Sequence, residues 1–258
     1  MKAARPYKDI NVFSEIWNYR TLKKFCRLQG ADLFGVADVS NIKDEFELVE
    51  DVKKGLNKAV CLGVALSGPI LSEIEAQPTK LYFHHYRTAN MFLDQTAFSV
   101  CRWLQNKGAA ALPIPASQIL DWQKQSAHLS HKKIGQLAGL GWIGRNNLLV
   151  SERYGAQFRL VTILTDFRLK ADRPLRRGCG PCRACVAACP VGAIRDNCEN
   201  FGHLECFEKL KGFQRENVVG QYICGICVKA CGGKHGKKNT ALNGPVEDQQ
   251  GHHIRPLS

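Results

Sequence analysis

The chain has 258 residues, 45% hydrophobic and 23% charged, a balance that argues against a disordered or fibrous polymer and leaves room for one large domain or two modest ones. No apolar run approaches the ~18 residues of a membrane span, and MKAARPYKDINVFSEIW carries neither a signal-peptide core nor a twin arginine, so a cytoplasmic protein with no membrane partner is expected. The formal charge of +13 keeps nucleic acid among the candidate partners.

In chain order, residues 13–29 have the periodicity of an amphipathic helix stopped by Gly30. ADLFGVADV, 31–39, predicts a strand, and 43–54 a polar helix. KAVCLGVAL, 58–66, is a β-rich apolar run that predicts a buried strand. Residues 80–107 predict a long helix with Phe92, Phe98, Cys101 and Leu104 on its apolar positions. A short strand, 109–115, closes at Pro113 and Pro115. HLSHKKIGQLAGL predicts a helix capped by Ser130 and stopped at Gly139. QFRLVTILTD, 157–166, alternates as a half-buried strand does.

Helices alternating with strands predict an α/β (α+β) domain over 1–170. LKADRPLRRG, 169–178, reads as a polar linker, 171–238 as a cysteine-ruled domain, and 239–258 as a polar tail in which His252 and His253 receive no metal role. AGLGWIGRNNLLV, 138–150, contains G-x-G-x-x-G, with Asp166 as a candidate ribose-binding acid. A dinucleotide fold needs a strand before those glycines and a helix after them. Here a helix precedes and β-prone NLLV follows, so the match is fortuitous.

Twelve cysteines, mostly crowded into 179–231 without an export signal, suggest metal rather than disulfides. Cys179, Cys182, Cys185, Cys189 and Pro190 form C-x2-C-x2-C-x3-C-P, the run that ligates paired [4Fe–4S] clusters and sends its fourth cysteine to the other cluster. Cys224, Cys227 and Cys231 follow as C-x2-C-x3-C. Cluster one therefore takes Cys179, Cys182, Cys185 and Cys231; cluster two takes Cys189, Cys224 and Cys227 with a fourth ligand from Cys206 or Cys198. Cys206 is favoured, because HLECFEKLKG reads as the start of a helix with slack to fold back. Tandem zinc ribbons are the alternative, poorly matched by three cysteines two apart before C-P. Cys26, Cys61 and Cys101 read as core residues. Basic clusters at Arg173, Arg176, Arg177 and Arg183, and at Lys229, Lys234, Lys237 and Lys238, fit an RNA surface or charge compensation of two anionic cluster units.

Taken together, GADLFGVADV, AGLGWIGRNNLLV, YGAQFRLVTILTD and CGPCRACVAACPVGAI resemble the epoxyqueuosine reductase family, cobalamin-dependent iron–sulfur enzymes related to reductive dehalogenases. The resemblance spans roughly residues 13–235. It implies a nitroreductase-like cobalamin-binding domain followed by a ferredoxin-like domain with two [4Fe–4S] clusters, fed by an external low-potential electron donor and acting on a queuosine precursor in tRNA. The chain would be a short variant without a C-terminal helical-repeat domain. Gly139, Gly141, Trp142, Gly144, Arg145, Asn146 and Leu148 would line or support the corrin site, with flavin as a replacement cofactor, since related nitroreductases use one. The family's acid position falls on Gln125, which cannot donate a proton as a carboxylic acid does. His131, His128 or Tyr86 would then supply the proton, with Asp121 a candidate if the register slips. The alternatives to a reductase are a two-cluster electron-transfer protein serving a corrinoid or other redox partner, and an RNA-binding protein with structural clusters.

Overall fold

A computed structural model describes residues 7–121 and 125–236. The first helix, α1 (Tyr7–Leu28), stops where Gly30 adopts φ +90°, and strand β1 (Leu33–Asp38) follows. The expected polar helix over 43–54 is instead a 3-10 turn (Lys43–Glu45) and one turn of helix, α2 (Glu50–Lys53). The reason is tertiary. Between them Phe46 is buried and extended, and the Glu47 N–H donates to the carbonyl of His128 at 2.9 Å, so local helix propensity is overridden.

Strand β2 (Lys58–Ala65) leads to a short helix, α3 (Gly68–Ser72), and then to the long α4 (Lys80–Gln105). Thr79 caps α4 by accepting the Tyr82 N–H at 3.0 Å. Next come β3 (Ala111–Ile114), α5 (His131–Leu137) with the expected Ser130 cap, a hairpin of β4 (Trp142–Ile143) and β5 (Leu149–Val150), and β6 (Phe158–Thr165). The four long strands form one sheet in the order β1-β2-β6-β3, and every pairing is antiparallel. The domain is therefore α+β rather than a parallel α/β sheet. The cysteine region adds α6 (Ala184–Ala188), a 3-10 turn (Cys198–Asn200), α7 (His203–Arg215), α8 (Ile226–Ala230) and α9 (Gly233–Gly236).

Strand alternation sorts the core. Val36, Val60, Leu62, Val161 and Ile163 face α1 and α4, meeting Leu22, Cys26, Leu93, Val100 and Leu104. Ala37, Ala59, Cys61 and Leu164 point to the opposite face, against Ile134 and Ala138 of α5 and its end. A third core joins Leu71 and Ile74 beside α3, and Tyr82 of α4, to Phe213, Ile223 and Ile226 of the cysteine region. Cys26, Cys61 and Cys101 are buried, Cys26 and Cys61 within the first two cores. Among the described residues no helix is long and apolar enough to cross a membrane.

The stretch expected as a polar linker is docked. Leu169 is fully buried, and the Asp172 carboxylate accepts from the Tyr19 hydroxyl (3.0 and 3.1 Å) and the Val36 N–H (3.0 Å). The Asp172 N–H returns a bond to the Val36 carbonyl at 2.7 Å. Polar composition reported the solvent-facing residues and missed the one carboxylate that turns inward. Asp172→Ala leaves the Val36 N–H and the Tyr19 hydroxyl without partners, at a cost of roughly 1–3 kcal/mol; a lower urea midpoint with an unchanged slope is the expected result.

Candidate cluster and cofactor site

The cysteines sort into two groups in space. Burial pushes the Cys231 thiol up to about 11, and Cys185, Cys179 and Cys182 add to the rise, so these four are close enough to repel one another as thiolates. Burial likewise raises Cys206 to about 11, with Cys224 and Cys189 contributing, and Cys227 feels Cys224, Cys206 and Cys189. The groups abut, since Cys185 of α6 also raises Cys227 of α8. Such thiols stay protonated unless a cationic centre offsets their charge, which is what iron does for a ligating thiol. Among the described residues no set of three or more His, Cys, Asp or Glu side chains is gathered tightly enough for a single metal ion. The donor chemistry suits two four-thiolate clusters.

Cys189, Cys206, Cys224 and Cys227 form one wall of a largely apolar cavity of about 430 Å³, and Cys198 does not reach it. Leu148, Leu149, Phe158 and Leu160 supply apolar lining, and Tyr86, His131 and Arg159 reach it from the sheet and its helices. Asn146 also lines the cavity; it is only 3% exposed, its Oδ1 accepts from the Leu148 N–H, and its Nδ2 has no partner. A buried amide donor left open in this way suits a ligand carrying acceptor groups, as the side-chain amides of a corrin do.

The proton-donor candidates separate. His131 lines the cavity, but its Nε2 lies 2.9 Å from the Pro115 carbonyl and its Nδ1 2.8 Å from Thr162 Oγ1. A carbonyl only accepts, so the proton sits on Nε2 and Nδ1 accepts from the threonine. Burial holds this imidazole down at about 4, neutral and with both nitrogens engaged. His128 does not line the cavity; its Nδ1 lies 2.9 Å from the Glu47 carbonyl, where it closes the turn before α2. Tyr86 keeps access to the cavity, with its hydroxyl 3.3 Å from Ser117 Oγ and Arg159 stacked 4.3 Å from its ring centroid. Burial alone would raise this phenol, yet the Arg159 charge and its hydrogen bonds hold it below its usual value.

Of the seven residues expected around a corrin, only Asn146 and Leu148 line the cavity. Gly139, at φ +70°, packs against the Arg173 carbonyl, and a Cβ on Gly141 would collide with the Val150 carbonyl. Trp142, Gly144 and Arg145 turn to the first cysteine run instead. The Trp142 Nε1–H donates to Cys179 Sγ at 3.5 Å, and Arg145 donates to the Cys182 and Gly180 carbonyls at 2.9 and 3.0 Å. The glycines therefore serve hairpin geometry and close backbone packing. Neither Gln125 nor Asp121 lines the cavity; a bridge between Asp121 and Ser126 holds that segment.

Several residues of the basic clusters are paired. Arg177 and Lys234 pair with Glu152, Arg183 pairs with Asp196, and Lys229 donates to the Ser72 and Ile74 carbonyls. Arg173 and Arg176 are exposed, and Lys237 and Lys238 lie outside the described residues.

Sequence reasoning passed over Arg159, Lys132 and Asn147. Arg159 had a visible signal: it shares the parity of Val161 and Ile163 in β6, so a charge occupies an inward position. Its Nε donates to Asn90 Oδ1 at 2.9 Å. Lys132 donates to the Asn147 carbonyl (2.9 Å) and Oδ1 (2.7 Å), and the Asn147 Nδ2 lies 2.8 Å from His203 Nε2. Asn147 takes φ +55°, which asparagine tolerates better than most residues.

No family model matches the chain. Over 116 residues it is 33% identical to an epoxyqueuosine reductase of Leadbetterella byssophila, a match covering 41% of this chain and 37% of that relative. Over 69 residues it is 41% identical to the Escherichia coli epoxyqueuosine reductase, covering 27% of this chain and 18% of the relative. Part of the chain is thus similar in sequence to part of these epoxyqueuosine reductases. It spans well under half the length of these two relatives. Among solved structures, the epoxyqueuosine reductase from Streptococcus thermophilus aligns with a TM-score of 0.57 at 17% identity, covering 88% of this chain and 68% of that one. A catabolic reductive dehalogenase aligns with a TM-score of 0.64 at 18% identity, covering 87% of this chain and 33% of that one. At such identities the structural likeness speaks to the fold, a mixed α+β architecture shared with both groups.

The state of His131 has a thermodynamic consequence. Its folded pKa of about 4 lies below the ordinary 6.5, so the unfolded chain binds the extra proton between those values. This contribution to stability is present above pH ~6.5 and is lost as pH falls toward ~4, at no more than about 1.4 kcal/mol per unit. Urea midpoints of the chain and of His131→Gln across that range are expected to show a flatter pH dependence in the variant.

Proposed function

We propose that the chain is a cobalamin-dependent iron–sulfur reductase of the epoxyqueuosine reductase kind, passing electrons from an external low-potential donor through two [4Fe–4S] clusters to a cofactor in the cavity. The observation that carries this reading is the cavity itself, with one four-cysteine group as its wall and the tyrosine–arginine pair facing it. In this reading residues 1–170 supply about half of the cofactor pocket, 171–238 form the cluster domain and the facing wall, and 239–258 are a tail outside the described residues.

Cys179, Cys182, Cys185 and Cys231 would hold cluster one; Cys189, Cys206, Cys224 and Cys227 would hold cluster two. Loading with iron would displace the protons that burial holds on Cys185, Cys206, Cys224, Cys227 and Cys231. A bound corrin supplies reducing power at cobalt for cleaving a substrate carbon–oxygen bond. The chain's own residues do the rest. The apolar lining excludes water from the cavity, and Asn146 Nδ2 donates to an acceptor on the cofactor. Tyr86 holds a proton at its hydroxyl, and Arg159 stabilises the phenolate left when that proton moves to the substrate. Neutral His131 orients the wall through Thr162 and Pro115 and holds no acidic proton.

Modified tRNA is the proposed substrate. One solved epoxyqueuosine reductase aligning with a TM-score of 0.58 carries an epoxyqueuosine-modified tRNA-Tyr stem loop, and this chain's charge of +13 suits a polyanion. Exposed Arg173 and Arg176 lie on the strap that leads into the first cysteine run.

The test is anaerobic reconstitution with iron and sulfide, followed by cobalamin titration and electron paramagnetic resonance of the cob(II)alamin state. A stoichiometric signal altered from that of free cobalamin is expected. Intact clusters with no corrin binding would leave an electron carrier or a flavin protein. Tyr86→Phe should bind cobalamin as the unmodified chain does and reduce an epoxyqueuosine-modified stem loop about 10²–10⁴-fold more slowly. For the fourth ligand, Cys206→Ser should lose about half of the reconstituted iron and Cys198→Ser should keep it; the reverse result reassigns the ligand.

A further inference from the structure

Trp142 and Arg145 belong to the motif whose glycines promised a phosphate or corrin cradle, and neither reaches the cavity. Both turn to the loop that begins the first cysteine run. The Trp142 indole N–H donates to Cys179 Sγ at 3.5 Å. Arg145 spans the same loop, giving one guanidinium nitrogen to the Cys182 carbonyl at 2.9 Å and another to the Gly180 carbonyl at 3.0 Å. Its Nε is buried without a partner, and among the described residues Arg145 forms no ion pair. The platform is stiff: β4 pairs with β5, the Gly144 N–H donates to the Leu148 carbonyl at 2.9 Å, and a Cβ on Gly144 would lie 3.5 Å from Cys179 Sγ. A Cβ there would come within 2.5 Å of Val150 Cγ2, so glycine lets the hairpin close tightly on β5.

We propose that Trp142 and Arg145 set the reduction potential of the cluster that Cys179 ligates, raising it relative to the second cluster. This rests on the reading that the chain holds two clusters. On reduction the cluster gains one electron, and its thiolate-ligated unit goes from about −2 to about −3. An N–H donor on a ligand sulfur and an uncompensated guanidinium beside the loop both stabilise the more negative state. The indole bond, 3.5 Å long, becomes charge-assisted when the sulfur is an iron-bound thiolate. Because α6, which carries Cys185, packs on α8, which carries Cys227, electrons would pass between the clusters, and the relative potentials would decide which one holds them. Trp142 and Arg145 are positioning residues: they act through Cys179 and its loop, not on substrate.

The experiment is a redox titration of the reconstituted full chain and of Trp142→Phe, followed by electron paramagnetic resonance. Phenylalanine keeps an aromatic ring and removes only the N–H donor. The reduced fraction of one cluster should fall up to about tenfold at fixed potential, equivalent to a downward shift of up to ~59 mV for one electron, with the other cluster unmoved. Two unshifted potentials in a variant with full iron content overturn the proposal. If the variant loses a cluster, the unmodified chain decides: with its tryptophans labelled at the indole nitrogen with ¹⁵N, a hyperfine coupling from one reduced cluster to one ¹⁵N supports the proposal, and no coupling overturns it. Failure of cobalamin to bind while this shift appears would count against the reductase reading alone; a chain that takes up no cluster overturns both.

Discussion

The contact that the rest of the site depends on is the third core, where Ile223 and Ile226 beside the second cysteine run press onto Ile74 and Tyr82. Gly225, between Cys224 and Cys227, takes φ +84°, and a Cβ there would lie 2.6 Å from the Tyr82 ring and 2.8 Å from Ile74. A residue with a side chain would push the cysteine loop off the helix. Burying large apolar side chains of this kind contributes roughly 1.5–3 kcal/mol each, and here that energy holds the second cysteine loop at the wall of the cavity. Backbone bonding reinforces it: the Ala156 N–H donates to the Cys231 carbonyl at 2.9 Å, tying the last cysteine to the turn that leads into the strand carrying Arg159.

The cavity inherits its chemistry from this docking. α6 and α8 bring the two cysteine groups side by side, α4 brings Tyr86, and β6 brings Arg159 across the gap. The phenol is buried enough that burial alone would raise it, and the guanidinium reverses the direction. The same cation helps hold His131 neutral, after burial has done most of that work. Burial and one arginine together thus set the two groups apart, lowering the phenol and keeping the imidazole neutral.

The hairpin after α5 has the opposite orientation from the one its motif suggests. Its glycines permit a turn tight enough to meet the Val150 backbone and side chain and the Arg173 carbonyl. Trp142 and Arg145 clamp a cysteine loop, while Asn146 through Leu149 face the cavity. Docking of the 169–178 strap through Asp172 continues that arrangement, because the strap packs on Gly139 before it enters the first cysteine run.

Local chemistry was legible from residues alone. The helices α1, α4, α5 and α7 and the strands β1, β2, β3 and β6 follow from apolar periodicity, caps and stop glycines, all of which act within a few residues. The cysteine runs were legible for the same reason, since a two-residue spacer brings neighbouring thiols to one side of a turn. What only the tertiary structure decided are the contacts made across the chain. His131 lost its candidacy to Thr162 and Pro115, 31 and 16 residues away, and Trp142 was drawn to a sulfur 37 residues on. Composition cannot report such partners, because a side chain's charge, proton and direction are set by whatever the fold places beside it.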